Sequence, residues 1–164
     1  MNALLRAAPE LRTMLAADLD DVLAVEVLAY EFPWTRDNFI DSLAAGYLAE
    51  VLQAPDVGLL GYYVALAGVD ELHLLNLTVA PAHQGQGHGQ RLLDRVEQRC
   101  IDCLLPSLWL EVRASNERAQ SMYRRRGFAA VGLRRNYYPA PQGRREDAVL
   151  MSRPMSPLVG HALD

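Results

Sequence analysis

The spacing of apolar and polar residues alternates between a helical and an extended period along the chain. In residues 89–105 apolar side chains recur on one helical face, and in residues 71–79 they alternate in part with polar ones. Across the whole chain these periods predict the element order β, α, α, β, β, β, α, β, α, β, β. The face predicted for the long helix consists of Leu92, Leu93, Val96, Cys100, Cys103 and Leu104.

Capping residues predict where the other helices begin and end. Acidic residues from position 18 onward suit the first turn of a helix, and Pro33 stops that helix. Thr35 is the predicted N-cap of a short second helix, which ends at Gly46. Gly127 is the predicted left-handed cap of a helix that begins at Asn116.

Short apolar segments bounded by Gly, Pro and Asp predict the strands. They predict a mixed sheet of about seven strands flanked by about four helices, in the α/β or α+β class. The segments are residues 10–15, YLAEVLQ, LLGYYVALA, ELHLLNLTV, SLWLEVRA, FAAVGLRRNYY and DAVLMSR.

Length and composition indicate a soluble protein with one core. The 164 residues are 51% hydrophobic, which suits a single domain over residues 1–153 with a loosely packed tail over residues 154–164. No apolar run approaches the roughly 20 residues that span a bilayer, and Arg6 and Pro9 interrupt any signal peptide. We therefore expect a cytoplasmic protein, in which Cys100 and Cys103 pack in the core.

The charge is divided unevenly along the chain, and every one of the 16 basic residues is Arg. Residues 1–110 carry 6 Arg against 15 acidic residues, whereas residues 111–153 carry 10 Arg against 4. The net charge of −4 disfavours a nucleic-acid partner. A small bound anion, or a helix face exposed to solvent, explains the basic segment better than a nucleic-acid partner does.

A glycine-rich loop, AHQGQGHGQRLL, joins a predicted strand to the long amphipathic helix. Glycine lets backbone N–H groups turn inward, and a helix N-terminus adds donors and positive potential, so the layout suits a phosphate. The loop is not a Walker A motif, since the chain has no Lys, and it lacks the last Gly of G-x-G-x-x-G. A tight structural turn remains the alternative.

The loop, read as Gln84-x-x-Gly87-x-Gly89 after the fourth strand, resembles the coenzyme A pyrophosphate loop of the GNAT acetyltransferase superfamily. LWLEVRASNERAQSMYRRRGF then resembles the ribosomal-protein alanine N-acetyltransferases of that superfamily. FPW, RRNYY and GRREDA recur in the same order, and the resemblance covers residues 32–151. Family members often have Arg where Gly85 and Gln90 stand, so this loop must rely on backbone donors.

The resemblance implies a role for each matching residue. Glu111 would accept the proton of the substrate amine, and Tyr123 would donate a proton to the coenzyme A thiolate. The residues alone also allow a structural explanation of both side chains. Glu111 could be a carboxylate at a strand edge that pairs with Arg113, and Tyr123 could be a core residue. The resemblance also implies that acetyl-CoA is bound, without a metal, by Leu77, Thr78, Val79, Gly85, Gln86, Gly87, His88, Gly89, Gln90 and Asn116.

The resemblance further implies that the acceptor is the N-terminal alanine amine of the eighteenth small-subunit ribosomal protein. Phe32, Trp34, Asn136, Tyr137 and Tyr138 would flank the peptide, although FPW is also a plausible helix-ending corner and NYY a hairpin edge. We expect a monomer that acts by direct transfer in a ternary complex, without nucleic-acid or membrane partners. The alternatives are another protein N-terminus, a Lys or small-amine acceptor, and a noncatalytic acetyl-CoA-binding module.

Overall fold

Seven strands and four helices follow one another in the order that the sequence predicts. The structure is a computed structural model and describes residues 7–155. The helices are α1 (Leu19–Ala29), α2 (Arg36–Ala44), α3 (His88–Asp102) and α4 (Glu117–Arg125). The strands are β1 (Glu10–Thr13), β2 (Leu48–Ala54), β3 (Gly58–Ala67), β4 (Glu71–Val79), β5 (Ser107–Arg113), β6 (Ala129–Pro139) and β7 (Arg145–Pro154).

The strands form one mixed sheet, which confirms the predicted fold class. Their order is β1-β2-β3-β4-β5-β7-β6, and β4 pairs with β5 in parallel while β5, β6 and β7 pair antiparallel. The parallel pair needs a crossover connection, and α3 supplies it. Contacts among the described residues divide the chain into two compact units, which comprise residues 7–65 with Asn76–Arg95 and Leu66–Leu75 with residues 96–155.

The core of the first unit lies under α1, α2 and the first strands. Phe39 is fully buried, and its ring meets those of Trp34 and Tyr62 at centroid distances of 5.1 and 5.9 Å. Thr35 accepts a hydrogen bond from the Asn38 backbone N–H, so it is the N-cap of α2 as predicted. The helix ends before Gly46, whose φ of +79° only glycine adopts readily.

The second unit packs α4 and the end of α3 on β5 and β7. Glu97 on α3 forms ion pairs with Arg126, at 2.5 Å, and with Arg153. Gly127 follows α4 with a φ of +93°, as its predicted role as a left-handed cap requires. These contacts tie the end of α4 to the sheet that carries Glu111.

Two boundaries differ from the sequence predictions. Helix α3 ends at Asp102, and the chain turns at Leu104, whose φ is +56°. Cys100 is therefore buried, and burial raises the pKa of its thiol to about 11, whereas Cys103 and Leu104 are exposed. The prediction that both cysteines lie in the core was wrong for Cys103, because the helix ends at Asp102, one residue before it.

The predicted C-terminal tail begins inside the sheet. Pro154 is the last residue of β7, and the Met155 N–H donates to the Pro106 carbonyl at 2.7 Å. The remainder of that segment, residues 156–164, lies outside the described residues. Within residues 7–155, no helix is long and apolar enough to cross a lipid bilayer.

Candidate active site

In the first unit, the carboxyl end of β4 carries the predicted cofactor-binding residues Leu77, Thr78 and Val79. The Tyr30 hydroxyl lies 2.7 Å from Thr78 Oγ1 and donates to the Leu77 carbonyl at 3.2 Å. Gln84 donates from its side chain to the Val79 carbonyl at 3.4 Å. The end of β4 is thus held from two directions, by the residue that follows α1 and by the loop that precedes α3.

The glycine-rich loop has the backbone that a phosphate cradle needs. Gly85 and Gly87 have φ values of +76° and +85°, and a Cβ at either position would meet no atom within 4 Å. Gly89 lies in the first turn of α3, where a Cβ would sit 3.6 Å from Val79 Cγ2. The helix N-terminus adds positive potential, so the open glycine surfaces and the helix end together fit a pyrophosphate.

Side chains contribute little charge to this loop. Gln86 and Gln90 are exposed. Burial lowers the pKa of His88, and the charges of His83 and Arg91 lower it further, so the neutral imidazole is favoured. The Arg91 guanidinium donates to the Pro9 carbonyl at 2.6 Å. An anion held here would be bound through backbone N–H groups.

A buried polar network that the sequence did not reveal connects the FPW segment with β4. Glu26 on α1 is only 1% exposed, and its carboxylate accepts hydrogen bonds from the Tyr62 hydroxyl and from the Trp34 backbone N–H at 3.0 Å. Asn76 donates to both carboxylate oxygens at 3.3 Å and accepts from Thr78 Oγ1 at 2.7 Å. Phe32 and Trp34, both predicted substrate residues, therefore follow a helix that is anchored to the cofactor strand.

Trp34 also lines a cavity of about 480 Å³ beside α2. Phe32 is exposed, whereas Trp34 is half-buried against Phe39. The other lining residues of the cavity are Asn38, Asp41, Ser42, Ala45 and Tyr47.

In the second unit, Glu111 lies between two basic side chains, one from the neighbouring strand β4 and one from β6, which lies beyond β7. Its side chain on β5 is 5% exposed, and Oε2 lies 2.5 Å from Nε2 of His73 on β4. Arg134 Nε on β6 lies 2.9 Å from Oε1, close enough for an ion pair. Within the described part of the chain Oε1 nevertheless accepts no hydrogen bond, because the Arg134 N–H does not point at it.

Arg113 pairs with Glu146, a partner that the sequence did not suggest. Its guanidinium donates to Glu146 at 3.1 Å and to the Pro139 carbonyl at 2.9 Å. Side chains alternate along a strand, so Arg113 and Glu111 share a face of the sheet but reach different partners. Sequence reasoning missed both His73 and Arg134 as neighbours of Glu111.

The NYY segment, the other predicted substrate element, forms an irregular stretch of β6. Asn136 has a φ of +52°, its N–H donates to Asp147 at 2.9 Å, and the pairing register with β7 shifts around it. The Tyr137 and Tyr138 rings meet edge to face at 4.9 Å, and the Arg113 guanidinium lies 4.5 Å from the Tyr138 ring centre. Burial and the negative charge of Glu111 raise the pKa of both hydroxyls.

Tyr123 and Asn116 both belong to the α4 segment. Asn116 is the N-cap of α4, and its side-chain oxygen accepts from the Ala119 N–H at 3.1 Å. The half-buried Tyr123 ring packs edge to face on Phe128 at 5.5 Å. After burial, Glu111 contributes most to the raised pKa of the Tyr138 hydroxyl, and Tyr123 contributes a little, so Tyr138 lies near both Glu111 and Tyr123 in the second unit.

A carboxylate with phenols nearby can take part in proton transfer. Among residues 7–155, no cluster of three or more His, Cys, Asp or Glu side chains has the arrangement of a metal site. Within the first unit the predicted cofactor residues of β4 and of the glycine-rich loop lie together. Within the second unit the predicted base lies with the NYY aromatics.

Comparison with known proteins gives consistent matches over most of the chain. An enzyme of Haemophilus ducreyi named ribosomal protein bS18-alanine N-acetyltransferase is 34% identical over 142 residues, which cover 87% of this chain and 97% of that one. The crystal structure of the ribosomal-protein-S18-alanine N-acetyltransferase from Escherichia coli superposes with a TM-score of 0.84 and 33% identity, covering 96% and 99% of the two chains.

A more distant structure shares the fold alone. The phosphinothricin acetyltransferase of Sinorhizobium meliloti, solved in complex with acetyl-CoA, has a TM-score of 0.72 and 23% identity over 90% of this chain and 89% of that one. The family model described as acetyltransferase (GNAT) family matches residues 11–128, which contain all four helices and most of the first five strands of the described structure. The chain belongs to the acetyltransferase (GNAT) family.

Proposed function

We propose that this chain is an N-α-acetyltransferase that moves an acetyl group from acetyl-CoA to the N-terminal alanine amine of ribosomal protein bS18. Relatives that bear this activity in their names match the chain at 33–37% identity. The observation that carries the proposal is Glu111, a carboxylate that is 5% exposed on β5 and lies between His73 and Arg134 beside the NYY aromatics. Such a carboxylate can accept a proton from an amine.

The cofactor side of the proposal rests on the first unit. Acetyl-CoA, when bound, supplies the acetyl group as a thioester. The loop from Gly85 to Gln90 binds the pyrophosphate through backbone N–H groups and the α3 N-terminus. The pantetheine arm of the cofactor forms hydrogen bonds with the backbone groups of Leu77, Thr78 and Val79. In the second unit, Asn116 at the N-cap of α4 is assigned a cofactor-binding role by the family resemblance alone.

Glu111 acts as the general base of the proposed reaction. The acceptor arrives as an ammonium ion, and one proton moves from its nitrogen to the carboxylate, which frees the nitrogen lone pair for attack. An α-amine has a pKa near 8, against about 10.4 for Lys, so a single carboxylate suffices at neutral pH. The neutral nitrogen then forms a bond to the thioester carbonyl carbon, and the C–S bond breaks. Tyr123 donates its phenolic proton to the departing thiolate, and the second proton that the nitrogen loses as the amide forms restores the phenol.

The acceptor specificity is assigned to aromatic side chains in each unit. Phe32 and Trp34 follow α1, and Tyr137 and Tyr138 lie on β6 beside Glu111. Flat aromatic walls admit an extended N-terminus with a small first residue and exclude bulky ones. Alanine, which has the smallest side chain after glycine, fits this requirement.

The test uses two synthetic peptides with the purified full chain and acetyl-CoA. One begins with a free alanine and has no Lys, and the other is blocked at its N-terminus and contains Lys. We expect mass spectrometry to show acetylation of the free alanine alone, with an equal amount of thiol released. Acetylation of only the blocked peptide would refute the assignment of an α-amine acceptor, and absence of thiol release would indicate a noncatalytic binding module.

Two variants test the assigned roles. Glu111→Gln should lower kcat by about 10²- to 10⁴-fold, chiefly at low pH, where few acceptor amines are already neutral. The matched control is Glu117→Gln, an exposed carboxylate in the first turn of α4, and its activity should be unchanged. Tyr123→Phe keeps the ring contact with Phe128 and removes only the hydroxyl, so a drop in kcat without a change in stability isolates the proton donor.

A further inference from the structure

We propose that the Tyr30 hydroxyl binds the acceptor amine, with its oxygen accepting a hydrogen bond from one N–H of the substrate nitrogen. The inference rests on the proposed function, which brings the amine to the carboxyl end of β4 together with the thioester. It adds a residue that neither the sequence patterns nor the family resemblance assigned to the substrate. Its evidence lies within the first unit, in the contacts between the residue after α1 and β4.

A chain of polar side chains leads from Tyr30 to a buried carboxylate. The Asn76 amide NH2 faces both oxygens of Glu26 at 3.3 Å, so its carbonyl oxygen faces the other way and accepts from Thr78 Oγ1 at 2.7 Å. The Tyr30 hydroxyl lies 2.7 Å from Thr78 Oγ1 and is the outermost member of the chain. The buried members of the chain therefore set the orientation of the Tyr30 hydroxyl.

The place of each hydrogen in this chain follows from the acceptors. A hydroxyl has one hydrogen, and that of Thr78 is used in the bond to the Asn76 carbonyl oxygen, which can only accept. Tyr30 is therefore the donor in its contact with Thr78, and it shares the same hydrogen with the Leu77 carbonyl at 3.2 Å. Burial raises the pKa of the Tyr30 hydroxyl, so this hydrogen stays in place at neutral pH.

The Tyr30 oxygen can then offer a ligand only its lone pairs. A phenolic oxygen accepts hydrogen bonds as well as donating one, and within residues 7–155 no group donates to it. A ligand that binds to this oxygen must therefore bring its own donor. An ammonium or amine nitrogen carries such donors, whereas a phosphate or a carboxylate has lone pairs alone.

Tyr30 is also the member of the chain that a substrate can reach. Thr78 is 2% exposed and Asn76 9%, whereas Tyr30 is 41% exposed at the point where α1 ends and the backbone becomes extended. The exposed Phe32, which is proposed to flank the peptide, follows only two residues later. An amine at Tyr30 therefore belongs to a peptide that meets this same segment.

A contact of this kind fixes the direction of the nitrogen lone pair. The reacting atoms of an acyl transfer must come within about 3–3.5 Å of each other with their orbitals aligned. The backbone from Leu77 to Val79 is proposed to hold the pantetheine, and the Tyr30 hydroxyl is bound to that same segment. Holding one N–H of the amine at Tyr30 orients the nitrogen toward a thioester held on β4.

The test measures whether the Tyr30 hydroxyl and the substrate amine act together. Calorimetry with the full chain and coenzyme A compares a peptide that begins with free alanine and the same peptide that begins with propionyl, which is alanine without its amine. Tyr30→Phe keeps the ring and removes the oxygen. We expect it to weaken binding of the alanine peptide on the order of tenfold, as for the loss of a hydrogen bond to a charged group, and to leave the propionyl peptide unchanged.

A kinetic measurement separates this contact from a structural role of Tyr30. In Tyr30→Phe the KM for the alanine peptide should rise on the order of tenfold, while the affinity for acetyl-CoA and the thermal unfolding stay near the wild-type values. Tyr47→Phe is the matched control, because Tyr47 is a half-buried tyrosine of the same unit, and its peptide KM should be unchanged.

A double-mutant cycle tests the orientation by Thr78. Thr78→Val removes the oxygen that receives the Tyr30 hydrogen, so it should weaken binding of the alanine peptide when Tyr30 is present. It should have no such effect in the Tyr30→Phe background, because the hydroxyl that it orients is already absent. Equal effects of Thr78→Val in both backgrounds would overturn the orienting role of the chain.

The outcomes separate this inference from the proposed function. An active wild type whose preference for the alanine peptide survives in Tyr30→Phe would overturn the inference and leave the function in place. Equal weakening of both peptides, or a parallel loss of acetyl-CoA affinity, would likewise overturn it and assign Tyr30 to the support of β4. A wild type that prefers the alanine peptide but releases no thiol would overturn the function, and loss of that preference in Tyr30→Phe would still support the contact.

Discussion

The phenol of Tyr62 donates a hydrogen bond to the carboxylate of Glu26, and both side chains are buried. Burial raises the pKa of Tyr62, and the bond to Glu26 raises it further, so the phenol remains a donor at any pH at which the protein folds. The next residue, Tyr63, makes the corresponding bond to Glu50 from the opposite face of β3. Two adjacent tyrosines thus each satisfy a buried carboxylate.

These two carboxylates differ in their other partners. The difference predicts that removing the hydroxyl of Tyr62 and removing that of Tyr63 lower the stability of the protein by different amounts. Glu50 also binds the Arg95 guanidinium at 3.0 and 3.1 Å, whereas Glu26 is otherwise held by the Trp34 N–H and by weak bonds from Asn76 at 3.3 Å. Tyr62→Phe should therefore destabilise the protein by about 2–3 kcal/mol, and Tyr63→Phe by less. Denaturant unfolding of both variants measures the difference. Equal losses would contradict the assigned role of Arg95.

Capping and turn chemistry could be predicted from the sequence because each signal is local. Thr35 and Gly127 act within three residues of the backbone groups that they satisfy, so their roles were readable without the fold. Cys103 was misplaced because the helical period continues in the sequence past the residue where α3 ends. Where the chain turns at Leu104, the turn overrides that period.

The neighbours of Glu111 depend on strand order and could not be predicted. Glu111 itself was recognisable as a carboxylate in an apolar strand. His73 reaches it only because β4 and β5 pair in parallel across the α3 connection. Arg134 reaches it from β6, whose register with β7 shifts twice, and no local pattern encodes that shift. The sequence did contain one signal for this contact. It is a histidine on the predicted strand that comes before the strand of the candidate base.

The glycine-rich loop should tolerate a side chain at one glycine and not at another. Gly87 has a φ of +85°, so Gly87→Ala should cost about 1–2 kcal/mol of stability from backbone strain alone, since no atom lies near its Cβ position. If the loop binds pyrophosphate, the added methyl should also weaken acetyl-CoA binding in calorimetry. Gly89→Ala is the control, because its Cβ meets only Val79 Cγ2 at an ordinary 3.6 Å. An equal loss of affinity in both variants would argue against backbone recognition at Gly87.

The aromatic walls proposed to flank the peptide beside Glu111 predict different effects for the loss of the Tyr138 ring and for the loss of its hydroxyl. Tyr138→Phe keeps the ring under the Arg113 guanidinium and removes a hydroxyl that stays protonated, so the KM for the peptide should change little. Tyr138→Ala removes the wall and should raise that KM about tenfold or more, with a smaller change in kcat. Unchanged peptide kinetics in Tyr138→Ala would rule out Tyr138 as a wall of the peptide site.

Glu146 ties the start of the α4 segment to β7, and its contribution to stability should depend on pH. Its carboxylate accepts from the Ser115 N–H at 2.8 Å and from Arg113 at 3.1 Å, and the bonds from Ser115 chiefly lower its pKa in the folded state. A carboxyl with a lower pKa in the folded than in the unfolded chain stabilises the fold when ionised. That stabilisation is complete above the unfolded pKa, near 4.3, and disappears as the pH falls through the folded value.

Glu146→Gln should therefore lose about 1 kcal/mol at pH 7, a modest value because the carboxylate is partly exposed. The difference from the wild type should shrink toward zero as the pH falls below 4, where Glu146 is protonated in both states. Urea unfolding at pH 7, 5 and 3 measures it. A loss that is the same at all three pH values would mean that Glu146 stabilises this corner through its shape and not through its charge.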